Sequence, residues 1–267
     1  MAPRKDDARV LGYTLTDCPI LTEPESWPHI YNIYGWEPPQ TPTWPRVLRN
    51  LDEHGPGKRV YVSTMREIYG DDIEQFNQAY CTEFDSFDAL LRASHWRHRA
   101  ELDNQREARD NAEFLLRIVD RCYEVEVAAI RKYDPNHLIF GDKFQGNRLG
   151  LPVPPEHIAL SAKHFDLIFF QKYTVWADLE PLLDQFREHG GGKPCYMGDS
   201  SINVPKENLP DPFGPRCANQ EVRAQAFREA FYNCFSRPDF VGWDWCGWMD
   251  LWVDDPTDLQ AHDPRHA

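Results

Sequence analysis

Along this chain, amphipathic helical stretches alternate with short apolar runs of β-prone residues, and this alternation limits the fold more than any other feature. Five such runs lie near residues 10–16, 137–141, 166–170, 194–198 and 240–243. Parallel neighbours in a sheet need a long crossover, usually a helix, so the pattern predicts parallel βαβ units and an α/β fold. The strongest helical period runs from about Glu107 to Tyr133, where Phe114, Leu115, Ile118, Val119, Tyr123 and Ile130 recur among charges. Asp134-Pro135-Asn136 closes it, because proline cannot continue a helix. Shorter helices are expected near Pro45–Leu51, Arg59–Tyr69, Asp72–Ala79 (with Asp71 as N-cap), Pro155–Lys163, Leu179–His189 and Gln220–Phe235. Five strands leave two architectures, an open five-stranded sheet or part of a barrel.

The strand ends are unusually polar. Lys193–Ser201, KPCYMGDSS, is a short apolar strand that stops at Gly198 and a carboxylate, Asp199. His137–Phe144, HLIFGDKF, stops at Gly141-Asp142, and Phe165–Tyr173, FDLIFFQKY, stops at Gln171, Lys172 and Tyr173. The first run, VLGYTLT, ends at Asp17-Cys18-Pro19. Parallel α/β barrels keep their chemistry at the C-terminal rim of the strands, which makes Asp199 the leading catalytic candidate. A Pro- and Trp-rich stretch from Ile20 to about Gly57 reads as a long loop, of the kind that usually shapes a site.

At 267 residues the chain is expected to form one domain, 1–267. A net charge of −14 argues against nucleic acid and anionic membranes as partners, since phosphate attraction depends on clustered Lys and Arg. No run of about 18 apolar residues is present, and MAPRKDDAR lacks the apolar part of a signal peptide. A soluble protein is therefore expected, with its localisation left open. Seven scattered cysteines without a CxxC pair suggest neither a disulfide framework nor a zinc site, so no metal and no cofactor are expected. Gly190–Gly192 precedes a strand rather than a helix, unlike a phosphate loop, and Gly198-Asp199-Ser200 lacks the Gly-x-Ser-x-Gly elbow of serine hydrolases.

Through LGYTLTDCP, YGDDIEQFNQAYCTEFDSFDALL, AIRKYDPNHLIFGDKF, FFQKY, KPCYMGDSS and GWDWCGWMD, the chain resembles the C-terminal part of a clan A glycoside hydrolase, closest to β-agarases and related β-galactosidase-type enzymes. The resemblance implies a (β/α)8 TIM barrel. An acid/base Glu ends its fourth strand in a Gly-Tyr…Asp-Asn-Glu pattern, and a nucleophilic Glu ends its seventh. Gly12-Tyr13 then opens the fourth strand and Asp199 takes the nucleophile position. The chain would be a partial barrel of about five parallel strands resembling strands four to eight, incomplete at its N-terminus and, with no clear final helix, at its C-terminus. It departs from the pattern twice, with Asp17-Cys18 where the family has Asn-Glu and the shorter Asp199 where it has Glu.

Glycoside cleavage needs two carboxyl groups flanking the bond, about 5–5.5 Å apart for retention or about 6.5–9.5 Å for inversion. Asp17 as acid and Asp199 as nucleophile or base are the natural pair, with Glu23 and Glu25 as alternative proton donors. Two Asp residues at positions built for Glu are expected to stand further apart, which favours inversion. The resemblance implies that Tyr173 orients the nucleophile. Trp243, Trp245 and Trp248 offer flat platforms for sugar rings, while Gln171, Asp142, Lys143, Gln145 and Asn147 offer hydrogen bonds to hydroxyls. Turn capping by the two aspartates and core packing of Tyr173 and the tryptophans are the competing readings. The expected function is hydrolysis of β-linked galactose-containing poly- or oligosaccharide. The alternative is an inactive carbohydrate-binding relative, or a barrel fragment that self-associates through the edges Val10–Thr16 and Phe240–Trp243.

Overall fold

The computed structural model describes residues 4–17, 44–97, 105–145, 153–205 and 214–246. The strands are β1 (Gly12–Asp17), β2 (Leu138–Gln145), β3 (Ile168–Gln171), β4 (Cys195–Asp199) and β5 (Phe240–Trp243). The helices are α1 (Trp44–Arg49), α2 (Pro56–Ile68), α3 (Ile73–Tyr80), α4 (Phe87–Arg92), α5 (Gln105–Tyr133), α6 (Pro155–His164), α7 (Trp176–His189) and α8 (Gln220–Phe235). The chain divides into two compact units: Met1–Pro19 with Cys122–Ala267, and Ile20–Arg121. Among the described residues no helix is long and apolar enough to cross a membrane.

The first unit holds one parallel sheet in the order β1-β2-β3-β4-β5. Strand order follows chain order without reversal, as in a singly wound barrel; a doubly wound sheet would reverse at a switch point. The fold is thus α/β, with five parallel strands of a partial barrel. On one face Phe144 and Phe170 lie 6.5 and 5.0 Å, centroid to centroid, from Phe186 of α7. Full burial of a ring such as Phe186 contributes about 1.5–3 kcal/mol. On the other face Phe140, Leu167 and Phe169 form a smaller cluster with Tyr196.

The end of α5 is tied to the starts of β1 and β2 by one buried carboxylate. Asp134 accepts from Tyr13 Oη at 2.5 Å, from the backbone N–H groups of Asn136 and His137 at 3.1 Å each, and meets His137 Nδ1 at 2.7 Å. His137 Nε2 faces the carbonyl of Asp7 at 3.1 Å, so both ring nitrogens meet acceptors and the imidazolium suits the site. Its pKa is raised, chiefly by the hydrogen bond to Asp134. A His with a raised folded-state pKa stabilises fully below its unfolded value of about 6.5, and that contribution is lost as pH rises through the folded value. The melting temperature of the sheet unit is therefore expected to fall as pH is raised from 6.5 through the folded His137 value, and His137→Gln to flatten that slope. A pH-melting series on both proteins checks this, and an unchanged slope in the variant refutes it.

The second unit is helical, with a core of Tyr61, Val62, Met65, Tyr69, Phe76, Tyr80, Phe87, Leu90 and Phe114. Phe76 and Tyr80, one helical turn apart on α3, stack at 4.3 Å. Beside this core Lys58 is fully buried, donating to the carbonyls of Arg49 and Ala93 at 2.7 Å each; burial, then the Arg49 charge, pushes its pKa down to about 8. The cap of α3 falls one residue later than expected: Asp72, not Asp71, accepts from the Glu74 and Gln75 N–H groups at 3.0 and 3.3 Å. Asp71 instead has φ +61°, in the turn closed by Gly70. Helix α4, capped by Ser86, was not expected as a separate element, because its six residues are too few to show a period.

Candidate active site

Three charged side chains from three strands converge at the C-terminal rim of the sheet. Lys143 Nζ of β2 lies 2.5 Å from Asp199 Oδ2 of β4 and 3.2 Å from Asp17 Oδ1 of β1. The Lys143 side chain is 14% exposed, against 23% for Asp199 and 67% for Asp17. Burial pulls against the Lys143 charge, but the hydrogen bond and attraction of Asp199, then those of Asp17, outweigh it and raise its pKa. The ammonium is thus held charged between two carboxylates.

Bulges aim these groups. Simple alternation from Phe140, which packs with Phe169 and Tyr196, would put Asp142 on that same face and Lys143 on the opposite one. The pairing of β2 with β1 instead slips between Ile139 and Gly141, and Gly141 takes φ +78°. An inserted residue reverses the alternation beyond it. Asp142 consequently turns toward α5, accepting from Tyr123 Oη at 2.7 Å and Thr16 N at 2.9 Å, and Lys143 turns toward Asp199. A second slip, in β4 against β3, inserts Gly198 between Met197 and Asp199 and brings Asp199 opposite Gln171. A Cβ on Gly198 would lie 2.2 Å from the Phe169 ring and 3.1 Å from Lys143 Cδ, so only glycine lets the lysine pass. The Gly-Asp pairs that end β2 and β4 thus have opposite outcomes: the one in β4 delivers its aspartate to the rim and the one in β2 delivers the following lysine.

The shared ammonium limits the spacing of the acids. The two contacts put Asp17 Oδ1 and Asp199 Oδ2 no more than about 5.7 Å apart. These oxygens lie inside the wider spacing expected of two shortened side chains, because Lys143 draws both toward itself.

Around this centre, Lys172 N donates to the Asp199 carbonyl at 3.0 Å and Cys246 N to the Ser200 carbonyl at 2.9 Å. Burial pushes the Cys246 thiol up, with a hydrogen bond from Tyr173 opposing and the nearby Asp199 charge adding to the rise. Tyr173, Cys246 and Asp199 are therefore brought together; Cys246 is a neighbour that sequence reasoning missed, hidden in the GWDWCGW run. Gln171 is buried at the end of β3. Trp243 donates Nε1–H to Ser200 Oγ at 2.5 Å and packs on Phe227, Phe231 and Phe240. Trp245 meets the Phe227 ring edge-on at 5.0 Å. Glu23, Glu25, Asn147 and Trp248 lie outside the described residues, as does the side chain of Gln145. Among the described residues no group of three or more His, Cys, Asp or Glu is placed to hold a metal ion.

No protein-family model and no curated protein matches the sequence. Solved structures do match the fold. The chain aligns with PfGH50B at TM-score 0.64 and 23% identity, covering 88% of this chain and 30% of that one. It aligns with the agarase AgWH50C at 0.62 and 21%, over 88% and 30% of the two chains. An exo-β-agarase matches at 0.63 and 20%, over 90% and 30%. The chain thus spans about 30% of the length of these proteins and shares the fold of that part. The resemblance to agarases read from the sequence reappears in the backbone.

Proposed function

We propose that this chain carries the catalytic rim of a glycoside hydrolase that acts on β-linked galactose-containing poly- or oligosaccharide, with Asp199 as nucleophile or base and Asp17 as acid. The observation that carries this reading is the convergence of the two aspartates, from the ends of β1 and β4, on Lys143. Two carboxyl groups a few ångströms apart at a strand rim are what glycoside cleavage requires. In this reading Tyr173 positions Asp199, an arriving sugar hydroxyl takes over the Lys143 contact, and Asp17, released from the ammonium and open to solvent, takes up from water the proton that it then gives to the leaving oxygen. Trp245 adds an apolar surface for a ring. The galactan specificity rests on the likeness to agarases, which by itself carries fold and not activity.

One observation favours a second reading. The same ammonium that gathers the acids also neutralises them, and no Glu stands next to Asp17, where Cys18 follows. A catalytically silent galactan-binding relative fits that chemistry. Reducing-sugar release from agar, porphyran and galactoside oligosaccharides separates the two. Release from at least one is expected, and its absence across the panel, from protein that melts cooperatively, would overturn the hydrolase reading in favour of binding alone.

A further inference from the structure

A pocket of about 280 Å³ opens where the start of α8 meets the chain just past β5, lined by Gln220, Arg223, Ala224, Phe227 and Trp245. We infer that it is a subsite for an anionic sugar, one whose ring stacks on Trp245 while its sulfate or carboxylate pairs with Arg223. The assignment of the ligand as a sugar rests on the proposed function; the preference for an anion does not.

Arg223 is the first reason. The chain carries a net charge of −14, and Arg9, Arg131, Arg187 and Arg237 of the same unit all pair with carboxylates. Arg223 has no carboxylate partner among the described residues; its Nη1–H donates to Gln220 Oε1 at 3.3 Å, and its guanidinium lies 5.7 Å from the Trp245 ring centroid. A neutral amide orients the guanidinium without cancelling its charge. Arginine presents paired N–H donors that match the oxygens of a carboxylate or sulfate, and such charge-assisted bonds are about twice as strong as neutral ones.

The aromatic pair is the second reason. Phe227 meets Trp245 edge-on, at an interplanar angle of 83°, and so braces the indole in a fixed plane. A fixed indole face beside donors suits a pyranose, which has an apolar face and a polar perimeter. The volume falls just under the roughly 300–1,000 Å³ of pockets for drug-sized ligands, which suits one ring rather than several. One backbone bond ties the edge of the pocket to the strand rim: Cys246, the next residue after Trp245, donates its N–H to the carbonyl of Ser200, which follows Asp199.

The test is a ligand-observed NMR titration of the whole chain with galactose 6-sulfate, galacturonate, galactose and inorganic sulfate, repeated with Arg223→Gln and Trp245→Phe. The charged sugars are expected to bind about tenfold more tightly than galactose. Arg223→Gln should erase that preference, while Trp245→Phe, which keeps a ring, should weaken all the sugars and leave the preference. Equal affinities for charged and neutral sugar, a preference that survives Arg223→Gln, or inorganic sulfate binding as tightly as the sulfated sugar would each overturn the assignment. Arg223 is a helix surface residue, so unchanged melting of its variant shows that lost binding is local. Binding is read without turnover: a charge preference in a protein that cleaves nothing retires the hydrolase reading alone, and cleavage without preference retires the subsite alone.

Discussion

On the proposed hydrolase reading, Asp199→Asn is expected to lower galactan hydrolysis by at least about 10²–10⁴-fold, the range that a positioned acid or base supplies. The amide matches the carboxylate in size and keeps an oxygen for Lys143 Nζ, so the bulge at Gly198 and the bond from Lys172 N to the residue-199 carbonyl have no cause to change. What is removed is the negative charge, and with it the nucleophilicity and basicity needed to attack a sugar or activate a water. The ion pair given up is mostly shielded from solvent, but Lys143 keeps Asp17 and the amide oxygen as partners, so the cost is about 1–2 kcal/mol, too little to unfold the chain. Rate and melting temperature should therefore separate, with turnover collapsing and the melt shifting by only a few degrees. Rates measured on the best galactan substrate, beside thermal melts of both proteins, check this. Turnover retained within threefold would remove Asp199 from the chemistry and leave Lys143–Asp199 as an ordinary structural pair.

The parts of the fold that were legible in the sequence are those that rest on composition over several residues. Five apolar runs separated by helical periods yield five parallel strands, since nothing except a crossover can join parallel neighbours. Proline at 135 marks the end of α5 to the residue. The candidate site was legible only in outline. Asp17, Tyr173 and Asp199 stand out in the sequence as polar strand ends, whereas Lys143 groups there with the sugar ligands and not with the two acids. Side-chain direction in a strand depends on parity, and one inserted residue reverses it; the pattern HLIFGDKF reads the same with or without the bulge. The glycines were the available signal, because Gly141 and Gly198 sit where side chains from a neighbouring element fill the space a Cβ would need. For Asp71 and Asp72 the same limit acts on a smaller scale, as two adjacent acids compete for one cap and only the φ of the preceding turn decides between them.

Gly141→Ala tests that account of the site and carries the largest expected effect on stability. At φ +78° an alanine pays about 1–2 kcal/mol for the left-handed backbone alone. Its Cβ would also lie 2.0 Å from Cδ2 of Phe165, a fully buried ring that packs on Tyr123 at 4.5 Å and has no free side to retreat to. Overpacking of this kind adds about 1–3 kcal/mol, for a total near 2–5 kcal/mol, a large share of the roughly 5–15 kcal/mol that holds a domain together. Gly192→Ala is the matched control: its φ is +79°, yet nothing lies within 4 Å of the added carbon, so it should show the backbone cost without the clash. Chemical denaturation of the two variants isolates the steric part as their difference. Any relief of the clash that flattens the bulge turns Lys143 toward the helices and Asp142 toward the rim, exchanging an ammonium for a carboxylate beside Asp199. Two carboxylates then face each other without a cation between them, and like charges at that range repel rather than gather. The variant should therefore lose activity beyond what its residual folded fraction explains. If Gly141→Ala proves no less stable than Gly192→Ala and keeps full turnover, the bulge is not what aims Lys143.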